Sequence, residues 1–351
     1  MPVTEVIPKA LLPIANRSLL EYAVSQLERA GLREITIVTG YMSQRTARSL
    51  ENSEGNLEAD IKYINAEEYA KGPIFSLLAA EKIVQGEFLL TPVDLILAAP
   101  IIPKMLANRS EEDTVLIAVD NQNLGRGGTP VSYSQLPESD LGSVMFLGPS
   151  KIRGDYEAGT KAVLGTSVGI AVCPPGIFKY VRAAARNGST KVVDALNWFI
   201  SQNGKGRCVM IDAGNYWFDV DTMETALSAN RFILQEHLFG DMPRGKLYTD
   251  GSTNWTGSGP SDSHVLPARI IGPSIIGEGS EIGSGSKIGP YVSAQKDCSI
   301  GREVNCRNSI ILEGSRIDDC MSIEGTMVYG RKILSAKRSN NVTSGRDMQD
   351  G

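Results

Sequence analysis

From residue 270 onward, isoleucine recurs with a period of six. Ile270, Ile276, Ile282, Ile288 and Ile300 are each six or twelve residues apart. Ala268, Ser274, Ser280 and Ser286 stand two positions before four of them, and Gly277, Gly283, Gly289 and Gly301 directly follow the last four of the series. Neither the 3.6-residue period of an α-helix nor the 2.0 of an ordinary strand generates this spacing. A triangular parallel β-helix does, because the aliphatic residue points inward on each face while glycine and small residues let the chain turn the corners. The register slips after Cys306 and resumes with Ile317 and Ile323. We therefore read 265–334 as a left-handed parallel β-helix of roughly three coils of about eighteen residues. The polar residues 335–351 show no core-forming pattern and read as a disordered tail.

The first 240 residues follow a different rhythm. Ser18-Leu-Leu-Glu21 is a capping box opening an amphipathic helix that runs to Ala30 and closes at Gly31. A buried strand at Glu34–Thr39 comes next, then a helix at Ser43–Leu50, a strand at Ile61–Ile64, a helix at Ile74–Val84 and strands at Phe88–Leu90 and Thr114–Val119. Alternating strands and helices predict a Rossmann-like α/β domain over 1–240, with a mostly parallel sheet and helices on both faces. Ligands of such sheets bind beyond the carboxyl ends of the strands. Between the two regions, 241–264 is rich in Gly, Ser, Pro and Asp and reads as a surface linker.

Composition narrows the chemistry. With 35 Lys and Arg against 40 Asp and Glu the net charge is −5, which disfavours nucleic acid as the main partner. The longest apolar stretch, Leu95 to Pro103, contains two prolines and is too short to span a bilayer. Five cysteines without a CxxC pair favour reduced thiols and a cytoplasmic protein. His237 and His264 are the only histidines, too few to lead with a zinc site or a Cys/His pair. Any catalysis must rest on Asp, Lys and a hard cation.

Ile7-Pro-Lys-Ala-Leu-Leu-Pro-Ile-Ala-Asn16, leading into Ser18–Tyr22, closely resembles the signature segment of the sugar-1-phosphate nucleotidylyltransferases. These include the glucose-1-phosphate thymidylyl- and uridylyltransferases and the mannose-1-phosphate guanylyltransferases. The resemblance implies that Lys9 neutralises nucleotide phosphates, a role suited to an ammonium on a flexible stem. Phe88-Leu-Leu-Thr-Pro-Val-Asp94 matches the strand that carries a metal-binding Asp, and Tyr216-Trp-Phe-Asp219-Val-Asp221-Thr222 resembles the second metal motif. Asp94 and Asp219 are thereby implied as ligands of Mg²⁺ bridging nucleotide and sugar phosphates. Asp221, where the family often has glycine, is a substrate-binding candidate and reads equally as a helix N-cap. Gly72 falls in the base-contacting segment, Lys151 near the lysine that contacts the sugar phosphate, and Gly169 at a glycine of the sugar pocket. The implied reaction joins a nucleoside triphosphate to a sugar 1-phosphate, giving NDP-sugar and pyrophosphate.

The chain also departs from that pattern. It begins after the position of the family's first strand and Gly-rich phosphate loop, whose backbone N–H groups and arginine hold the nucleotide phosphates. Val93 replaces the glycine that usually precedes the first metal Asp, and Pro73 and Phe75 stand in the base-contacting segment. Two readings stay open: a natural start roughly twenty residues earlier, or a non-catalytic regulatory or scaffold paralogue that binds sugar nucleotide. An acyltransferase built on the β-helix is a third and weaker reading, since three coils offer little wall for an acyl-CoA groove. The flat faces and open ends of a short β-helix predict a homo-oligomer.

Overall fold

A computed structural model of the chain describes residues 2–51, 58–98, 100–109, 113–122, 128–136, 139–149, 162–203, 205–211, 217–236, 244–260 and 266–335. The chain divides into two compact units, Met1–Arg244 and Gly245–Gly351.

In the first unit, β1 (Pro13–Ile14) and β2 (Arg17–Ser18) form a tight antiparallel hairpin over Ala15 and Asn16, whose φ angles are 45° and 66°. Two-residue hairpins of this kind require positive φ at both central positions. Asparagine tolerates that conformation, and Ala15 is fixed in it by donating its N–H to the buried Asn230 Oδ1 at 2.8 Å. Helix α1 (Leu19–Arg29) starts from the predicted capping box. Ser18 Oγ accepts from the Glu21 N–H at 3.2 Å, and the Glu21 carboxylate accepts from the Ser18 N–H at 2.9 Å. Strands β3 (Glu34–Thr39) and β4 (Asp60–Asn65) are parallel, with α2 (Ser43–Glu51) in the connection between them. Helix α3 (Pro73–Ala80) has Pro73 at its first turn, where the missing N–H is not needed.

Next come β5 (Phe88–Leu90), β6 (Leu95–Leu97), α4 (Ile101–Ala107), β7 (Val115–Asp120), β8 (Thr129–Gln135), β9 (Leu141–Leu147) and β10 (Val163–Cys173). The unit closes with α5 (Ile177–Arg186), α6 (Val192–Asn203), β11 (Gly206–Ile211), β12 (Trp217–Asp219) and α7 (Met223–Glu236). The main sheet has the order β5-β10-β7-β11-β9-β8, with β8 also pairing β10. Every residue of β7 is buried, and its side chains alternate between two cores. Val115, Ile117 and Val119 pack with α3, α5 and α6, whereas Leu116 and Ala118 pack with α4.

The expected mostly parallel sheet is corrected by this order. Among the described residues only β7 and β11 pair in parallel within the six-stranded sheet. Parallel neighbours need a crossover, usually a helix. The strand–helix alternation that suggested a parallel sheet ends near β7, and β8, β9 and β10 follow without a helix among the described residues.

The second unit stacks short strands in three parallel columns. Column one is β15 (Arg269–Ile271), β18 (Lys287–Ile288), β21 (Asn305–Arg307) and β24 (Ser322–Glu324). Column two is β16 (Ser274–Ile276), β19 (Val292–Ala294), β22 (Ser309–Ile311) and β25 (Thr326–Tyr329). Column three is β17 (Glu281–Ile282), β20 (Ser299–Ile300) and β23 (Arg316–Ile317). Partners in register are Ile270, Ile288, Cys306 and Ile323 in the first column, and Ile282, Ile300 and Ile317 in the third. All are buried. The slip after Cys306 is a coil shortened by one residue: Ile276 pairs with Ala294, eighteen on, whereas Ala294 pairs with Ile311, seventeen on.

The small residues of the repeat latch one coil to the next. Ser280 Oγ donates to the Gln295 carbonyl and accepts from the Cys298 N–H; Ser286 Oγ does the same with Gly301 and Val304. Gly289 turns a corner at φ +109°, where an added Cβ would lie 1.9 Å from the Ile271 carbonyl oxygen.

The region expected as a linker, 241–264, is corrected in part. Strands β13 (Lys246–Tyr248) and β14 (Ser252–Asn254) pair antiparallel with β16 and β15, and the Ile282 N–H donates to the Ser258 carbonyl. This segment covers the open edge of the first coil, a polar composition notwithstanding, because each exposed edge presents unpaired backbone groups. At the other end β26 (Lys332–Ser335) covers β25 in the same antiparallel way. Of the expected tail 335–351, Ser335 instead ends β26, and 336–351 lie outside the described residues.

Candidate functional site

The first unit brings Lys9, Asp94, Asp219 and Asp221 together. The pairing of β12 with β6 does most of this. Antiparallel register sets Asp219 opposite Leu95, and the Val220 N–H donates to the Asp94 carbonyl at 3.0 Å. Asp94 and Asp219 therefore share one end of a two-stranded ladder. Lys9 opens a short 3₁₀ turn, Lys9–Leu11, ahead of the β1–β2 hairpin, and its ammonium is hydrogen-bonded and ion-paired to both Asp94 and Asp221.

One ligand atom from each of the three aspartates lies within 4.8 Å of the others. Three carboxylates facing one ammonium leave the cluster short of positive charge. Burial, followed by the charges of Asp221 and Asp94, pushes the Asp219 carboxyl up to about 6, against the opposing pull of Lys9. Burial alone would lower Lys9. Hydrogen bonds to Asp221 and Asp94, together with their charges, hold it above the usual lysine value instead. Hard oxygen donors at this spacing fit a divalent cation such as Mg²⁺, which takes carboxylate oxygen in preference to nitrogen or sulfur.

The helix-capping reading of Asp221 is not what the geometry uses. Thr222 Oγ1 accepts from the Thr225 N–H at 3.1 Å at the start of α7, while the Asp221 carboxylate, 62% exposed, turns to Lys9. Gly169 lies in β10, where the register to β7 shifts between Ser167 and Ala171, and its φ of +95° is a conformation that a side chain disfavours. An added Cβ there would meet Pro92, two residues from Asp94. Gly72 caps α3 at φ +127°, and a Cβ would lie 2.7 Å from the Thr190 carbonyl oxygen, so close backbone packing already requires glycine. Lys151 lies outside the described residues, as do His237 and His264.

Sequence reasoning missed Asp120, at the end of β7. It is fully buried, accepts the Trp217 indole N–H at 2.8 Å and accepts the Gln122 N–H at 2.9 Å. Through Trp217 it anchors the strand that carries Asp219. The signal was available: Val-Leu-Ile-Ala-Val-Asp120 is an apolar strand ending in a carboxylate, like the run that ends in Asp94.

All five cysteines are unpaired, and Cys173, Cys208, Cys298 and Cys306 are buried, with burial pushing each of these four thiols up to about 12. No helix among the described residues is long and apolar enough to cross a membrane.

Comparison with known proteins follows the division into two units. Residues 4–166 match a MobA-like NTP transferase domain, and residues 270–340 match the GMPPB C-terminal domain. The chain is 24% identical to a glucose-1-phosphate thymidylyltransferase of Streptomyces griseus over 95% of this chain and 88% of that one. It is 25% identical to a bifunctional sugar-1-phosphate nucleotidylyltransferase/acetyltransferase of Sulfurisphaera tokodaii, over 90% of this chain and 73% of that one. Among solved structures, a UDP-glucose pyrophosphorylase complexed with UDP-glucose aligns with a TM-score of 0.54 at 18% identity, covering 67% of this chain and 94% of that one, which shows a shared fold.

Proposed function

We propose that this chain, a member of the sugar-1-phosphate nucleotidylyltransferases by its NTP transferase and GMPPB C-terminal domains, joins a nucleoside triphosphate to a sugar 1-phosphate. The products are NDP-sugar and pyrophosphate. The observation that carries this reading is the convergence of Asp94, Asp219 and Asp221 on Lys9.

The sugar phosphate oxygen attacks the α-phosphorus in line and pyrophosphate leaves, so positioning and charge neutralisation dominate over covalent chemistry. Mg²⁺ held by Asp94 and Asp219, with Asp221 as a third oxygen donor, would supply positive charge to the phosphate oxygens. Lys9 has the complementary task. Its present partners, Asp94 and Asp221, are two of these carboxylates, and its ammonium is the group that would bind phosphate oxygens. The resemblance further assigns Gly169, where an added Cβ would meet Pro92, to the sugar pocket, and Gly72 and Lys151 to substrate binding. The strand columns of the second unit, with coils of eighteen and seventeen residues, are best read as a left-handed β-helix that assembles the chain into a homo-oligomer. Unpaired thiols suit a reducing, cytoplasmic setting.

The test is to incubate the purified chain with Mg²⁺, each common nucleoside triphosphate and hexose 1-phosphates, and to measure pyrophosphate release. Turnover that is lost in Asp94→Asn and Asp219→Asn supports the proposal. Calorimetric binding of NDP-sugar without any turnover would replace it with a non-catalytic scaffold.

A further inference from the structure

Several charges on the second unit's outer surface are paired between coils. Lys296 pairs with Glu313, Arg302 with Asp319 and Arg307 with Glu324, each seventeen residues on and therefore one coil away. Column one contains an exception. Along its outward row the register reads Asn254, Arg269, Lys287, Asn305 and Ser322. Two cations sit side by side on adjacent strands, flanked by uncharged residues, with no carboxylate in the row. Among the described residues neither Arg269 nor Lys287 makes an ion pair. Adjacent strands lie under 5 Å apart, about 4.8 Å, and like charges directly opposite each other destabilise a sheet. The next row on the same face carries the matched Arg307–Glu324 pair, so the fold readily accommodates a balancing acid where one is present.

These two cations also line one open surface recess. Arg269 and Lys287, with Gly251, Ser252, Ile271 and Gly272, line a recess of about 480 Å³. Strand β14 forms one wall, with Ser252 in register with Ile271 and the Gly272 N–H donating to the Gly251 carbonyl at 3.1 Å. The strand that covers the first coil thus also shapes the recess, and brings a hydroxyl beside two cations.

We propose that this recess binds a small phosphorylated metabolite. Its phosphate is held between the Arg269 guanidinium and the Lys287 ammonium and accepts from the Ser252 hydroxyl. A planar guanidinium fork beside a point charge suits a phosphate dianion, which relieves the repulsion between the two cations. The recess exceeds what a phosphate alone fills and admits a body of hexose size. This recess is built from residues of the second unit alone, whereas the Lys9–aspartate cluster is built from the first.

The probes are inorganic phosphate and glucose 6-phosphate, which has no anomeric phosphate to enter the transfer reaction. Thermal unfolding and calorimetry are run on the full chain, on Arg269→Gln/Lys287→Gln and on Lys9→Ala. Both probes are expected to raise the melting temperature of the natural chain, glucose 6-phosphate more than phosphate, and to do so equally in Lys9→Ala. The double variant should bind at least roughly tenfold more weakly, the loss of about one charge-assisted contact or more. Without ligand it should melt no lower than the natural chain, because a like-charge contact has gone. Any of three binding results would overturn the proposal: no ligand-induced shift in the natural chain, a shift that survives in the double variant, or a shift that vanishes in Lys9→Ala alone. An unliganded double variant less stable than the natural chain would also overturn it, by making the pair structural.

Discussion

The outer face of the repeat and the Lys9 cluster handle charge in opposite ways. In the repeat, Lys296–Glu313, Arg302–Asp319 and Arg307–Glu324 are neutral rungs between residues seventeen apart. In the first unit, three carboxylates from Asp94, Asp219 and Asp221 face the single ammonium of Lys9, across sequence separations of 85 and 212 residues. Rungs arise from the period itself, since each coil sets equivalent positions side by side. The cluster exists only because the fold holds distant segments together against like-charge repulsion. Matched charge on a regular scaffold needs no ligand, whereas unmatched charge, in the Lys9 cluster and in the Arg269–Lys287 row alike, makes a candidate binding site.

The largest expected effect tests the cluster. Asp219→Asn should lower kcat/KM for NDP-sugar formation by about a thousandfold, as removal of a principal phosphate-charge stabiliser does. In metal-free protein the same change should raise the melting temperature, because it removes a half-buried charge repelled by Asp221 and Asp94. Loss of activity together with a large loss of stability would break the contrast, since the carboxylates would then be part of the scaffold.

Next in size is a change inside the repeat. Ile288 is fully buried, stacked between Ile270 and Cys306. Ile288→Ala should cost about 3 kcal/mol of stability, in the range for aliphatic truncation in a packed core, read from denaturant unfolding. Because neighbouring coils contribute equivalent positions, Ile282→Ala and Ile300→Ala should cost similar amounts. A much smaller cost at Ile288 would mean that the columns are loosely packed there.

Those same residues show how unevenly the sequence reveals the structure. In the second unit the spacing of Ile270, Ile282, Ile288 and Ile300 pointed to the buried positions that the strand columns use, because contacts about eighteen residues apart leave a periodic trace. The capping box at Ser18 and Glu21 was legible for a related reason, since all its partners lie within one turn. Lys9, Asp94 and Asp219 were identifiable through their motifs, but the ladder between β6 and β12 that unites them leaves no local trace. The mixed order of the main sheet was hidden for the same reason. Strand β10 pairs β5, β7 and β8 by bending near Gly169, and no composition rule announces a strand with three partners. The covering strands β13 and β14 were hidden by their polar composition, for their task is to satisfy backbone groups rather than to fill a core.

A smaller effect should follow from the unforeseen anchor of the cluster. Trp217→Phe removes the indole donor to Asp120 and leaves a buried carboxylate oxygen without that partner. The expected destabilisation is about 2 kcal/mol, the usual worth of one hydrogen bond to a buried charged group. Because Trp217 begins the strand that ends in Asp219, KM for the metal-nucleotide should rise as well. A stability loss with unchanged kinetics would show that Asp120 serves the core alone.

The smallest expected effect lies in the rungs. Arg307 and Glu324 approach to 2.8 Å, yet both side chains are more than half exposed. Holding two long side chains in one geometry costs entropy that the screened attraction barely offsets, so a double-mutant cycle through Arg307→Ala and Glu324→Ala should give a coupling below about 1 kcal/mol. That coupling should shrink further in high salt. The unmatched row at Arg269 and Lys287 responds in the opposite sense, since salt screens a repulsion there and should stabilise the unliganded chain. Comparing the salt dependence of Arg307→Ala with that of Lys287→Gln therefore sets a matched row against an unmatched one on the same sheet. If both variants respond alike, the difference between the two rows is one of residue names and not of energy.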